Sequence, residues 1–169
     1  MAEARWLDDD EQRAWRAFLA ASRLLLATLD RELQRDAGMP HTYYEILVRL
    51  SEAPERTLRM STLADSLQSS RSRLSHAVAR LEESGWVRRE TCATDRRGQL
   101  AVLTAQGLAV LQAAAPGHVE GVRAHLFDLL TPQQTAQLRE ISEVLLADLE
   151  SPLTANASEA VVESSINKG

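Results

Sequence analysis

The sequence has little of what marks several common protein classes. It holds one cysteine, Cys92, among 169 residues, which excludes an internal disulfide and favours a reducing compartment. No apolar run approaches the roughly 18 residues that a membrane span needs. The opening residues, MAEARWLDDDEQ, are acidic and lack the basic and apolar regions of a signal peptide. These absences predict a cytoplasmic protein with no membrane partner.

Familiar reactive groups are also missing. No Ser-His-Asp set, glycine-rich phosphate loop or carboxylate pair stands out, so the sequence does not predict an enzyme. The histidines, His41, His76, His118 and His125, show no spacing typical of metal ligands. His41 and His118 would approach each other if the second and fifth helices meet, but no cysteine or paired carboxylate accompanies them. We predict neither a metal nor a cofactor.

Positive charge is concentrated in one part of an otherwise acidic chain. The formal net charge is −5, and the length suits one domain of ordinary size. Between Arg56 and Leu100 there are nine arginines and five acids, a net of +4. The rest of the chain has ten basic and nineteen acidic residues, a net of −9. A local excess of arginine in an acidic protein is typical of a nucleic-acid footprint.

The arginine-rich stretch, Met60 to Thr104, carries two helical patterns followed by two strand-like runs. The first helix is predicted from Ser61 to Leu67, with Ser61 as its N-cap. The second runs from about Ser70 to Ser84, and Gly85 ends it. Its apolar positions keep the spacing of one helix face: Leu74, Ala77, Val78 and Leu81.

The opposite face of this second helix has the composition of a DNA-binding surface. It carries short hydroxyls, one methyl and long cations: Ser69, Ser72, Arg73, His76, Ala79 and Arg80. Such side chains can lie against base edges and the flanking phosphates. A solvated helix face is the simpler interpretation of these residues taken alone, and the hairpin that follows decides against it.

Two short runs after the helix predict a β-hairpin wing. Val87–Thr91 alternates and can pair with Leu100–Leu103, leaving ATDRRGQ as the tip. Gly98 supplies the positive φ that a tight turn needs. Arg96 and Arg97 then project from the tip, and arginine is attracted into a narrow minor groove. Helix, turn, helix and wing together predict a winged helix-turn-helix.

The run LADSLQSSRSRLSHAVARLEESGWVRRE, followed by the DRRG tip and by LT at the start of a long helix, resembles the MarR family of bacterial transcription regulators. The similarity extends from the N-terminal helix to about Glu150. It implies a two-fold dimer through the terminal helices, binding a roughly palindromic operator as a repressor. It also implies that Arg97 enters the minor groove, oriented by Asp95, while Arg96 meets the backbone.

The remaining segments complete a mainly α fold. Asp8, Asp9 and Asp10 begin a helix running to about Arg35, and a second helix spans Thr42–Ser51. A connector, Ala53–Thr57, leads to the wing unit. The predicted regions are a dimerisation helix (1–36), the winged helix-turn-helix (40–104), C-terminal dimerisation helices (105–150) and a flexible tail (151–169).

Two features divide the C-terminal half. Thr104 is expected to cap a long helix through Leu130, with a kink or break at Pro116 because proline removes one ladder donor. Thr131-Pro132-Gln133-Gln134 has the pattern of a capping box and starts the last helix. Apolar positions on the first and last helices exceed what one winged domain can cover, which favours a homodimer over packing within one chain.

Individual roles follow from these positions. Arg73 is the first choice for a base contact, with Ser72 and His76 beside it. Three residues at the helix N-terminus suit phosphates, because free N–H groups point there: Ser69, Ser70 and Arg71. Arg80 is expected to meet either a phosphate or Glu83, one turn further along the helix.

The resemblance further implies an effector, since family members commonly release DNA when a small aromatic or anionic molecule binds beside the winged domain. The candidate lining residues are Trp15, His41, Tyr43, Tyr44 and Arg49, although aromatic residues at helical spacing usually belong to a core. A rival interpretation is a winged-helix protein–protein interaction module without specific DNA binding. Cys92 is either a small strand residue or, with Arg88 and Arg89 nearby, a redox-sensitive thiol.

Overall fold

A computed structural model describes the backbone of residues 4–92 and 95–166 and the side chains of residues 4–92 and 98–149. It is mainly helical with one small antiparallel sheet, as predicted, and it divides into two compact units after Arg123. In chain order the elements are α1 (Asp9–Ala37), α2 (His41–Glu52), a 3-10 turn (Pro54–Arg56), β1 (Thr57–Arg59), α3 (Met60–Ser66), α4 (Arg71–Glu83), β2 (Val87–Cys92), β3 (Asp95–Leu103), α5 (Ala105–His125), a second 3-10 turn (Phe127–Leu129) and α6 (Pro132–Ile166).

The first helix begins and ends at strong local signals. Asp8 is its N-cap: the Glu11 N–H donates to the Asp8 carboxylate at 2.8 Å, and the Asp8 N–H donates to the Glu11 carboxylate at 2.9 Å. Gly38 ends α1 with a left-handed φ of 65°, and its N–H donates to the Gln34 carbonyl at 3.1 Å. Both predicted ends therefore agree with the structure to within two residues.

The second helix lies at the centre of the winged domain. It packs against α1, α3, α4, β1 and β3. Ile46, Leu47 and Leu50 are fully buried on its inner side, and each such side chain contributes about 1.5–3 kcal/mol to folding. This apolar centre holds α4 and the sheet in one rigid frame, so the exposed residues of both have defined positions.

The sheet has three strands, one more than the sequence predicted. Their order is β1-β3-β2, with Thr57 opposite Val102 and Val87 opposite Leu103. The predicted connector Ala53–Thr57 is thus wrong at its end, because Thr57 already pairs as the first residue of β1. A strand of three residues is too short to show alternation, and only its pairing with β3 defines it.

The helix-turn-helix differs from prediction at its first residue. The helix α3 starts at Met60, and Arg59 occupies the N-cap position without a side-chain cap, so Ser61 is not the N-cap as predicted. After α3, Gln68 adopts a left-handed φ of 47° in the turn before α4. The turn is closed by the Ser69 N–H, which donates to the Ala64 carbonyl at 3.0 Å.

The wing is joined closely to α5. Thr104 caps α5 as predicted: its Oγ1 accepts the Gly107 N–H at 2.9 Å and donates to the Gly85 carbonyl at 2.8 Å. α5 continues through Pro116 without the break that was one of the two predicted outcomes, while a kink there stays a prediction, and it ends at His125 rather than at the predicted Leu130. The apolar packing of α5, including buried Leu111 before the proline, outweighs the single lost ladder donor.

The second compact unit contains α6. Its start is the predicted capping box, in which the Gln134 N–H donates to Thr131 Oγ1 at 3.2 Å and the Thr131 N–H donates to Gln134 Oε1 at 2.9 Å. The backbone of residues 151–166 continues α6 in the stretch that the sequence predicted to be a flexible tail, and its flexibility stays a prediction. Residues 167–169 of that predicted tail lie outside the described residues.

Candidate nucleic-acid interface

The start of α4 is organised by Ser70. Its backbone is extended, with φ −63° and ψ 144°, and its side-chain oxygen accepts the Arg73 N–H at 3.3 Å. One of the free N–H groups of the first turn is thereby satisfied, while the others point out of the helix end. The Ser70 hydroxyl keeps its own proton for donation, so it can still serve an anion as predicted.

The two sides of α4 differ as the sequence predicted. Leu74, Val78 and Leu81 are buried in the core of the winged domain. The opposite face exposes Ser72, Arg73 and His76, while Ser69 and Ala79 are half-buried. The helix therefore presents hydroxyl, guanidinium and imidazole groups together on an uncovered surface, and these groups can donate hydrogen bonds to base edges.

The arginines of α4 are not equally available. Arg71 and Arg73 are exposed, and neither guanidinium forms a hydrogen bond or ion pair with the described side chains of residues 4–92 and 98–149. Arg80 instead donates to the Glu83 carboxylate at 2.8 Å, one of its two predicted partners. That hydrogen bond raises the pKa of Arg80 above its ordinary value. Arg80 must exchange Glu83 for a phosphate if it meets DNA.

A carboxylate ties α4 to the wing. Glu82, near the end of α4, accepts both the backbone N–H and the side-chain Nε of Arg89 in β2, each at 3.0 Å. Hydrogen bonds that involve charged groups are stronger than neutral ones. This pair fixes the orientation of the first wing strand relative to the helix.

The tip of the wing differs from prediction. Gly98 is a residue of strand β3, which begins at Asp95, and is not the turn residue that was expected. The register shifts between Thr91, opposite Gln99, and Cys92, opposite Asp95, so residues 96–98 form a bulge in β3. The side chains of Asp95, Arg96 and Arg97 lie outside the described residues, and their roles remain predictions.

Depressions lie on both sides of α4. One, of about 280 Å³, separates α4 from the start of α2 and includes Ser69 and Arg73. The other, of about 420 Å³, lies between α4 and the sheet. Its lining residues are Arg59, Met60, Ser61, Arg71, Ser75, Arg89, Gly98 and Gln99. Arg59 and Arg89 were not among the predicted site residues, because only the fold brings their strands beside Arg71.

The helix-turn-helix and wing described above are also found by comparison with known proteins. A MarR family model matches residues 37–98. The chain is 55% identical to Sco3205 of Streptomyces coelicolor, a MarR family transcriptional regulator crystallised in complex with DNA. That similarity covers 88% of this chain and 92% of Sco3205, with a TM-score of 0.85. The chain belongs to the MarR family.

Two further relatives are also transcriptional regulators. AbsC, a MarR family transcriptional regulator also from Streptomyces coelicolor, is 44% identical, covering 88% of this chain and 99% of AbsC with a TM-score of 0.82. The HTH-type transcriptional regulator PrsX of Escherichia coli is 26% identical over 113 residues, which are 67% of this chain and 68% of PrsX. As a MarR family member, the protein is a DNA-binding transcriptional regulator, as the sequence predicted.

A second cluster in this MarR protein surrounds His118 of α5. The His118 ring lies 4.4 Å from Tyr44 and 5.4 Å from His41 between centroids, so His41 and His118 do converge. Its buried Nδ1 has no hydrogen-bond partner among the residues that the structure describes. Burial, followed by the nearby His41, lowers the pKa of His118. Among the described residues, no group of three or more His, Cys, Asp or Glu side chains is placed to hold a metal.

Only part of the predicted effector set comes together. His41, Tyr44 and Arg49 line one depression of about 270 Å³ with His118. Burial raises the pKa of Tyr44, and a hydrogen bond from His41 lowers the pKa of Glu45 in the same depression. Two other candidates are elsewhere: Tyr43 packs against the domain core, and Trp15 lies on α1 with its ring 6.5 Å from that of Phe18.

Cys92 is a packed residue of the wing. Only 8% of it is exposed, and Arg59 Nη2 donates to its sulfur at 3.4 Å. This burial favours the interpretation of Cys92 as a small strand residue, because a redox-sensitive thiol needs access to oxidant.

None of the described helices combines the length and the apolar content that crossing a membrane requires.

Proposed function

We propose that this MarR family regulator binds a palindromic operator as a homodimer and represses transcription until a small effector releases it. The observation that carries the proposal is the exposed face of α4, where Ser72, Arg73 and His76 stand uncovered beside the wing. A face of this kind fits the major groove, where arginine can donate two hydrogen bonds to a guanine. Since bacterial promoters lie in the cytoplasm, the proposal places the protein there.

Uncovered apolar side chains support the homodimer. Trp15 and Phe18 of α1 are each 52% exposed, and Val144 of α6 is 71% exposed. Other large apolar residues of these helices share this exposure: Leu24, Leu26, Ile141, Leu145, Leu146 and Leu149. Burying such surfaces between two copies gains about 25 cal/mol for each Å² removed from water. A two-fold dimer would present its recognition helices about 34 Å apart, one turn of DNA.

The depression beside α2 supports an effector. Its aromatic rings suit a small aromatic molecule, one of the two predicted classes, whereas Glu45 and Glu52 in the lining outweigh Arg49 and disfavour an anion. Because α2 packs directly against α4, a ligand there can change the position of the recognition helix. A ligand that binds better to the displaced arrangement shifts the dimer away from DNA.

The DNA assignment is tested with sequences selected from a random duplex pool. Arg73→Ala and Arg97→Ala should each weaken binding to the selected operator by about 1–3 kcal/mol, roughly 5- to 150-fold, as measured by mobility shift. Arg13→Ala is the control, because Arg13 pairs with Asp10 at the far end of α1. Unchanged mobility shifts for both variants would refute the assignment. A protein–protein module would instead lack any salt-dependent DNA affinity.

A further inference from the structure

We propose that Arg59, Arg71 and Arg89 together form a receptor for one phosphate of the DNA backbone, on the wing side of α4. The inference rests on the operator-binding mode proposed above. It extends that mode to Arg59 and Arg89, which the sequence did not predict as site residues. The three arginines come from three elements, β1, α4 and β2, and all three line the depression of about 420 Å³ between α4 and the sheet.

The depression has the chemistry of an oxyanion site. None of the described residues that line it is acidic, and the groups between the arginines are donors or small: Ser61, Ser75, Gln99 and Gly98. Arginine presents several N–H donors in a planar fork that matches the oxygens of a phosphate. Glu82, which pairs with Arg89 beside the depression, offsets one of the three positive charges.

Two of the three arginines are held in place before any ligand arrives. Arg59 lies opposite Leu100 in the sheet and donates from Nη2 to Cys92 at 3.4 Å. The Arg89 side chain is only 26% exposed, and Glu82 accepts from its Nε at 3.0 Å. Because that bond uses Nε, the terminal nitrogens of Arg89 can still donate. Groups already ordered lose less entropy on binding.

The third arginine can move to close the site. Arg71 is the first residue of α4, and its exposed side chain makes no hydrogen bond or ion pair with the rest of the described chain. Ser75 follows Arg71 by one turn, so both lie on the flank of α4 that faces the sheet. Ser72 and His76 lie on the adjacent outward face of α4. A DNA strand whose bases contact that face would therefore have a backbone phosphate beside the depression.

The test measures how DNA affinity depends on salt. Each phosphate contact contributes about 0.9 to the slope of log affinity against log salt concentration, so complete loss of the receptor would reduce the slope by about 1.8 in a two-fold dimer, and Arg59→Gln should reduce it by up to that amount. Arg71→Gln should give the same reduction. This variant should fold normally, because the Arg71 side chain is exposed and has no partner among the described residues. Arg59→Lys should keep most of the slope, since a lysine retains the charge that releases the counterion.

The matched control is Arg88→Gln. Arg88 neighbours Arg89 in β2 but points to the opposite face of the strand, where it pairs with Glu90 at 2.6 Å, so its loss should leave the slope unchanged. A wild-type slope in both Arg59→Gln and Arg71→Gln would overturn the receptor while leaving operator binding intact. Loss of salt dependence in the wild type would instead reject the operator-binding mode itself.

A second arm separates DNA from a free oxyanion as the natural ligand. Inorganic phosphate is compared with chloride at equal ionic strength, and thermal unfolding of the wild type is followed alongside Arg59→Gln. Stabilisation of the wild type alone by phosphate, together with unchanged DNA slopes, would assign the depression to a free anion and overturn the proposal. Reduced slopes in the glutamine variants support the DNA phosphate.

Discussion

At Gly107, in the first turn of α5, the helix meets the carbonyl of Trp86 at the start of the wing. A methyl group added there would lie 2.1 Å from the Trp86 oxygen and 2.9 Å from a Leu103 methyl carbon. Both are far inside the ~3.5 Å at which non-bonded atoms attract. In Gly107→Ala, α5 must therefore move away from a carbonyl that also accepts the Thr104 N–H at 3.0 Å.

The cost of Gly107→Ala has opposing parts. Overpacking costs about 1–3 kcal/mol. Weakening the hydrogen bond from the Thr104 N–H to the Trp86 carbonyl adds about 1 kcal/mol. The better helix propensity of alanine returns about 1 kcal/mol. We expect the free energy of unfolding to fall by about 1–3 kcal/mol, as measured by urea denaturation at fixed protein concentration.

The same helix offers a matched control. A methyl group added at Gly117, ten residues further along α5, has no atom within 4 Å. Gly117→Ala should therefore stabilise the protein by up to about 1 kcal/mol, through helix propensity alone. Equal changes for the two variants, in either direction, would refute the argument that the close approach at Trp86 requires a glycine.

Two further predictions concern titration and assembly. The lowered pKa of His118 means that the unfolded chain, with the ordinary value of 6.5, takes up a proton more readily, so stability should fall as the pH drops below about 6.5. His118→Gln should flatten this dependence of stability on pH in urea titrations between about pH 7.5 and pH 5.5. This range lies above the one in which Glu45 affects stability, because the pKa of Glu45 is lowered from 4.5. An unchanged profile would contradict the assignment to His118. Val144→Glu places a charge on an apolar face and should yield monomers in light scattering, whereas Ala136→Glu, on the face of the same helix that carries Glu140 and Glu143, should not; a Val144→Glu dimer as stable as the wild type would exclude the apolar face from the interface.

The sequence correctly predicted those structural features that depend on only a few neighbouring residues. Asp8, Thr104 and Thr131 each cap a helix through a hydrogen bond to a residue three positions away, so pattern and contact coincide. The buried stripe of α4, including Leu74 and Val78, followed from helical spacing in the same way.

Features that depend on distant partners were missed or wrongly predicted. β1 exists because Thr57 and Arg59 pair with β3, some 40 residues later in the chain. Pro116 continues α5 because packing compensates for one lost hydrogen bond. Gly98 looked like a turn residue, yet the pairing of Asp95 with Cys92 places it within a strand.

The sequence alone predicts a capped helix with an arginine-bearing outer face, a hairpin beside it, and membership of the MarR family. These follow from period, charge and capping, which act over a few residues. Only the tertiary structure brings Arg59, Arg71 and Arg89 to one depression and His41, Tyr44 and His118 into one cluster. The physical reason is that such groupings depend on burial of apolar surface between distant elements, and no local pattern encodes which elements will meet.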